Sequence, residues 1–203
     1  MNLQSSIDIL QNRHWDLIHQ RDFCCIYSYR HQHLVLPVKS VGKIPSGTLD
    51  AMFRLPYTYK ESASRRNGQS PTIHVILEKQ NSQFWGRVEW QGMMAIASGT
   101  TVDAVTRKLS AQLNEFATYA RTEYNDQSAI PADFVFDYHY DLTRVRELLQ
   151  QVKITSLLDQ TTISPDLHSK FMTNKQYPSS QQARQIELLI QKFGKELLDF
   201  SLL

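Results

Sequence analysis

The chain has 203 residues, with 22 Lys and Arg against 20 Asp and Glu, 41% hydrophobic residues, 10% aromatic residues and two cysteines. That length allows one domain or two or three small ones and excludes a large multidomain enzyme, while the composition excludes wholesale disorder. No run approaches the roughly 18 apolar residues of a membrane span, no secretory leader pattern opens the sequence, and the adjacent Cys24 and Cys25 exclude a disulfide framework or a four-cysteine zinc site.

A soluble cytoplasmic protein is therefore expected, and its charge is unevenly spread. Residues 1–71 carry 9 Lys and Arg against 5 Asp and Glu, net +4, with four of the seven histidines. Residues 72–141 carry 5 against 9, net −4, and residues 142–203 carry 8 against 6, net +2. Complementary fields of this kind steer association and set register more than they add affinity. Docking of the first segment on the second, within one chain or swapped between copies, is one expectation; chance variation is the other.

In chain order, Ile7, Ile9 and Leu10 suggest a first helix with Ser5 or Ser6 as N-cap. Three strand-like runs follow, at residues 15–20, 25–29 and 34–38, rich in branched and aromatic residues and separated by polar turns. Pro45 to Thr48 then opens a second helix over residues 49–55. The stretch from Tyr59 to Pro71 is polar, carries Asn67-Gly68, and reads as a linker or exposed loop.

Beyond it, residues 73–78, 84–90 and 93–98 read as three more strands. Thr101 is placed to cap a helix whose Val102, Val105, Leu109, Leu113, Phe116 and Tyr119 recur at spacings of three and four, a core stripe. Phe134, Phe136, Tyr138 and Tyr140 alternate with Val135, Asp137 and His139 as a half-buried strand.

The tail is expected to be helical, with Asp141 capping residues 142–150, a short helix over 155–160, and Ser164-Pro165 opening another that runs to about Thr173. Tyr177-Pro178 breaks it, and Ser179 or Ser180 caps a last helix. The whole is of the α+β class: an α-β-β-β-α domain at 1–58, a linker at 59–71, a β-β-β-α-β domain at 72–141 and an all-α module at 142–203.

Two short helices joined by a tight turn have helix-turn-helix proportions. The second would enter the major groove, with Asp166, His168, Ser169 and Lys170 facing base edges and Lys175 and Gln176 suited to phosphates. Residues 150–178 hold only three lysines against two aspartates, a weak basic footprint, so a helical dimerisation cap without nucleic acid is the competing reading.

Asp141-Leu142 after an aromatic strand, Ile163-Ser164, Asn174-Lys175, Tyr177-Pro178-Ser179 and the run Phe193 to Leu197 resemble the C-terminal helix-turn-helix of HicB-type antitoxins. Ile76 to Lys79, Phe84 to Val88 and Ser98 to Val105 are similar to the preceding domain of that family. The resemblance covers residues 72 to about 200. It implies a partial RNase H-like domain that binds the toxin, then a module that binds its own operator DNA and assembles as dimers or tetramers. The carboxylates of RNase H chemistry are not evident, so the middle reads as a binding domain.

Residues 3–56 are similar to the HicA toxin, through Leu10, Trp15, Gln20, Leu36-Pro37-Val38 and Ile44 to Leu49, which implies a small double-stranded-RNA-binding-like (dsRBD-like) fold. In that family a Gly-Ser-His-His stretch supplies the histidine that cleaves mRNA. Here Asp22-Phe23-Cys24-Cys25 stands in its place, so the catalytic position is degenerate at Cys24. RNA cleavage needs an acid or base titrating near working pH, which imidazole supplies; a thiol near 8.5 does not. His19, His31 and His33 lie nearby in sequence, although histidines in strands and turns are more often exposed or structurally satisfied.

The resemblances together imply a toxin–antitoxin fusion acting as a DNA-binding transcriptional regulator, its toxin half catalytically inactive. An mRNA endonuclease restrained by its own antitoxin domain is one alternative. A non-enzymatic protein that neutralises a separately encoded HicA-type toxin is the other. No cofactor is expected, and no metal-ligating pair stands at recognisable spacing in the sequence.

Overall fold

In the computed structural model, residues 1–40, 42–54, 70–126, 129–145, 147 and 177–198 are described. They form an α+β structure with one seven-stranded mixed sheet. The chain divides into two compact units, Met1–Asp137 and Tyr138–Leu203. The division falls inside the strand Val135–Tyr140.

The first helix, α1, spans Leu3–Asn12. Its N-cap is Asn2, not Ser5 or Ser6: the Asn2 side chain accepts the Ser5 amide at 2.8 Å. Ser6 is already inside the helix, buried, and donates its hydroxyl to the Asn2 carbonyl at 2.9 Å. Any of these small polar residues can cap; burial of Leu3 selects the earlier start, because it draws the first turn back over the core.

Strands β1 (Asp16–Gln20), β2 (Cys24–Tyr29) and β3 (Gln32–Pro37) form an antiparallel meander, with a register shift between Leu17 and His19. Helix α2 (Ser46–Arg54) follows. Strands β4 (Thr72–Gln80), β5 (Gln83–Trp90) and β6 (Met93–Gly99) form a second antiparallel meander. Helix α3 (Val102–Tyr124) leads to β7 (Val135–Tyr140). The strand order is β1-β2-β3-β6-β5-β4-β7. The two meanders share one sheet because β3 pairs in parallel with β6, His33 opposite Met93 and Val35 opposite Ala95.

The period of two in each strand splits its side chains between two faces. On one face Cys25, Tyr27, Leu34, Leu36, Trp85, Met94 and Ile96 pack with Leu3, Leu10, Ala51 and Met52 from α1 and α2. Residues from both meanders thus share one core. Trp85 sits in it almost fully buried.

The other face is covered by α3. Thr101 caps it by accepting the Ala104 amide at 3.2 Å, and Asn125 closes it in the left-handed conformation. The expected stripe is largely the buried one, with Val105, Leu109, Leu113 and Phe116 joined by Ala117 and Ala120. The buried Gln112 donates to the Ile96 carbonyl at 3.0 Å, and Lys108 to the Ser98 carbonyl at 2.6 Å.

In the second unit, Asp141 accepts the Thr143 amide at 2.8 Å as expected of a cap, and residues 143–145 are helical. Helix α4 spans Ser180–Leu198. Ser179 and Gln182 form a reciprocal box: the Ser179 amide donates to Gln182 Oε1 at 2.9 Å and the Gln182 amide to Ser179 Oγ at 3.4 Å. Ile186 is buried among Leu142, Val145, Leu189, Ile190 and Phe193. Among the described residues, no helix is long and apolar enough to cross a membrane.

Candidate functional site

Cys24 begins β2 and is fully buried. Burial, reinforced by the charge of Glu115, pushes its thiol up to about 12. Cys25 points to the opposite face, into the core shared with Tyr27 and Leu36, and burial raises its thiol as well. A thiol that titrates so high is neither a thiolate nucleophile nor a proton shuttle near neutrality. At the position where the resemblance would place a catalytic imidazole, the chain has a small apolar side chain.

The polar chemistry lies nearby, where Glu115 on α3 meets His19 on β1 and Arg21 just after it. Glu115 Oε1 accepts Arg21 Nε at 2.9 Å and lies 2.7 Å from His19 Nε2. The Glu115 side chain is only 15% exposed. Burial alone would raise its carboxyl, but the hydrogen bonds and charges of Arg21 and His19 outweigh it and hold the group below its ordinary range. In return, the Glu115 hydrogen bond raises the exposed Arg21 guanidinium. The ring of His19 lies against Tyr119, 5.2 Å between centroids, which fixes its plane.

His33 is more enclosed. Its ring packs against Phe116 at 5.2 Å and Tyr124 at 5.9 Å. Its Nδ1 is buried with no hydrogen-bond partner among the described residues. Burial first, and then His31, lower its basicity. His31 is exposed in the β2–β3 turn.

Beside this network lies an open cleft of 660 Å³ lined by Gln20, Arg21, Asp22, Phe23, Val38 and Lys39. Two cations and the 46% exposed ring of Phe23 face one carboxylate there. Arg21 is shared between this cleft and Glu115. Such a lining, with Arg21 and Lys39, can hold an anionic ligand.

Sequence reasoning did not single out Glu115. Its only signal was position: it flanks the apolar stripe of α3, between Leu113 and Phe116, in the acidic segment of a chain whose basic segment carries Arg21. The residues proposed for DNA contact, Asp166, His168, Ser169, Lys170, Lys175 and Gln176, all lie outside the described residues. Most of the 59–71 stretch lies outside them too. No family model matches the chain, and no match emerges among curated proteins or solved structures.

Proposed function

We propose that this chain is an antitoxin-type, DNA-binding regulator of a HicAB-like system that carries a fused toxin-like segment unable to cut RNA. The observation that carries the reading is the full burial of Cys24, within reach of the charge of Glu115, at the position where the resemblance would put a catalytic histidine. A segment that kept the toxin's activity would need that position open to a phosphodiester and occupied by a group titrating near neutrality.

The element order supports the same reading. Residues 3–54 run α-β-β-β-α, as expected of a dsRBD-like segment. Residues 72–140 run β-β-β-α-β, with the fourth strand beside the first, which suits a partial RNase H-like segment. Operator binding by a helix-turn-helix, and assembly as an even-numbered oligomer, rest on the sequence of the tail.

The test is a titration of the full chain against DNA from just upstream of its gene, at two salt concentrations. A Ser169→Ala, Lys170→Ala double variant is compared alongside. Tight, salt-sensitive binding that scrambled DNA does not reproduce and the variant weakens is the expected result. Binding no better than to scrambled DNA overturns the regulator reading.

One observation favours a second reading, the self-restrained endonuclease. Glu115 holds His19 as a carboxylate–imidazole pair, the arrangement that orients a general base elsewhere. RNA cleavage by the full chain, or by a Glu115→Gln variant, that disappears on His19→Ala would establish it over the first.

A further inference from the structure

We propose that the cleft between the β1–β2 turn and the segment just after β3 binds a small organic carboxylate with an aromatic body, held by Arg21 and Lys39 against the ring of Phe23. Its volume of 660 Å³ falls within the roughly 300–1,000 Å³ of small-molecule sites. Backbone hydrogen bonds fix its walls: the Arg21 amide donates to the Cys24 carbonyl at 2.8 Å, and the Val38 amide to the Phe23 carbonyl at 3.2 Å. The turn that carries Arg21, Asp22 and Phe23 is thereby tied both to β2 and to the segment that carries Val38 and Lys39.

Arg21 is oriented before any ligand arrives, because Glu115 accepts its Nε at 2.9 Å. Among the described residues, no hydrogen bond takes up its two terminal nitrogens, and no hydrogen bond or ion pair takes up the ammonium of Lys39. The terminal nitrogens of a guanidinium form a planar fork that matches the two oxygens of one carboxylate. A fork already held in place loses less freedom on binding. The half-exposed ring of Phe23, with Val38 beside it in the lining, gives the body of the ligand an apolar face to lie on.

Charge selects the ligand. Arg21 and Lys39 are offset by Asp22 in the lining and by Glu115 beside Arg21. A balanced lining gives a polyanion no net attraction, and a second negative charge meets Asp22 or Glu115 with no further cation in the lining to answer it. One carboxylate needs only the fork and the ammonium. The site does not rest on the antitoxin reading, since it uses none of the residues proposed for DNA contact.

The experiment is an NMR titration of the isotope-labelled full chain with phenylacetate, following the Arg21 side-chain Nε–H and the backbone amides of Phe23 and Lys39. Phenylacetamide, phenyl phosphate and a short single-stranded RNA are parallel probes. Saturable shifts with phenylacetate are expected at all three positions, with phenylacetamide and phenyl phosphate at least about tenfold weaker. Arg21→Lys keeps the charge but removes the fork, and should weaken phenylacetate at least about tenfold. Phe23→Ala and Lys39→Gln should weaken it several-fold and Asp22→Asn should tighten it. Phe23→Ala and Lys39→Gln leave the Glu115 pair in place, so they decide the matter if Arg21→Lys disturbs the fold. His31→Ala, an exposed histidine elsewhere, should change nothing. No saturable shift with phenylacetate, or binding that these variants leave unchanged, overturns the site. Equal or tighter binding of phenylacetamide, phenyl phosphate or the RNA at the same positions overturns its assignment to a carboxylate.

Discussion

Glu78 on β4 holds the N-terminus of α2: its carboxylate accepts the Thr48 amide at 2.8 Å, the Thr48 hydroxyl at 3.1 Å and the Gly47 amide at 3.2 Å. Helix starts expose donors that need a partner, and an anion there also meets the positive end of the helix dipole. Glu78 is buried, so water cannot take over if the carboxylate is lost. Glu78→Gln keeps one acceptor but turns an amide group toward donors. It should cost roughly 1–3 kcal/mol, read as a lower midpoint in urea unfolding, with α2 and the sheet still melting together.

Gly86 makes room for α3. A Cβ at this position would lie 2.4 Å from Val105 Cγ1 and 3.2 Å from Leu109 Cδ1. Gly86→Ala therefore forces the helix away from β5, at about 1–3 kcal/mol for overpacking. A compensating Val105→Ala should recover part of the loss in a double-mutant cycle. Additive losses would count against the close approach.

His33 sets a pH dependence. Burial and His31 lower its folded-state basicity below the ordinary value of 6.5. The unfolded chain then binds more protons than the folded one between the folded value and 6.5, so stability rises with pH in that window. The stability is present above 6.5 and is lost as pH falls toward the folded value. His33→Phe should flatten the difference in melting temperature between pH 7.5 and pH 5.5. An equally steep drop in the variant would assign the dependence to other groups.

Cys24 should resist labelling. With its thiol at about 12 and its side chain fully buried, iodoacetamide at pH 8 should react only after denaturant is added. Cys24→His supplies the imidazole that the proposed resemblance expects at this position, yet it puts a larger polar ring into a fully buried site near Glu115. We expect destabilisation of about 1–3 kcal/mol and no gain of RNA cleavage by the full chain. Robust cleavage by this variant would count against the proposal that the segment cannot cut RNA.

The strands and helices were legible because their signals are local. Phe84 to Trp90 reads as a strand from its residue types, and the α3 stripe reads as a helix from its spacing. Thr101, Asp141 and Ser179 read as caps because each cap binds an amide two or three residues away. What was not legible is what depends on partners distant in the chain. The pairing of His33 with Met93 has no local pattern, nor has the meeting of His74 with Asp137. Nothing local to Glu115 in the sequence foretells its bonds to His19 on β1 and to Arg21 just after that strand. Asn2 was overlooked as a cap because the apolar pattern of α1 begins later than its hydrogen bonding does.

The parallel seam between β3 and β6 also bears on how the protein is made. At about 5–20 residues per second, β3 leaves the ribosome seconds before its partner and waits with one hydrogen-bonding edge bare. Trp85, which shares one core with Leu34 and Leu36, arrives in the same delayed instalment. A nascent chain at that stage presents the kind of open edge that recruits other strands, so the first segment is poorly suited to mature ahead of the second. Because β3 and β6 belong to one chain, the completing strand follows on the same ribosome, at a distance no diffusing partner could match.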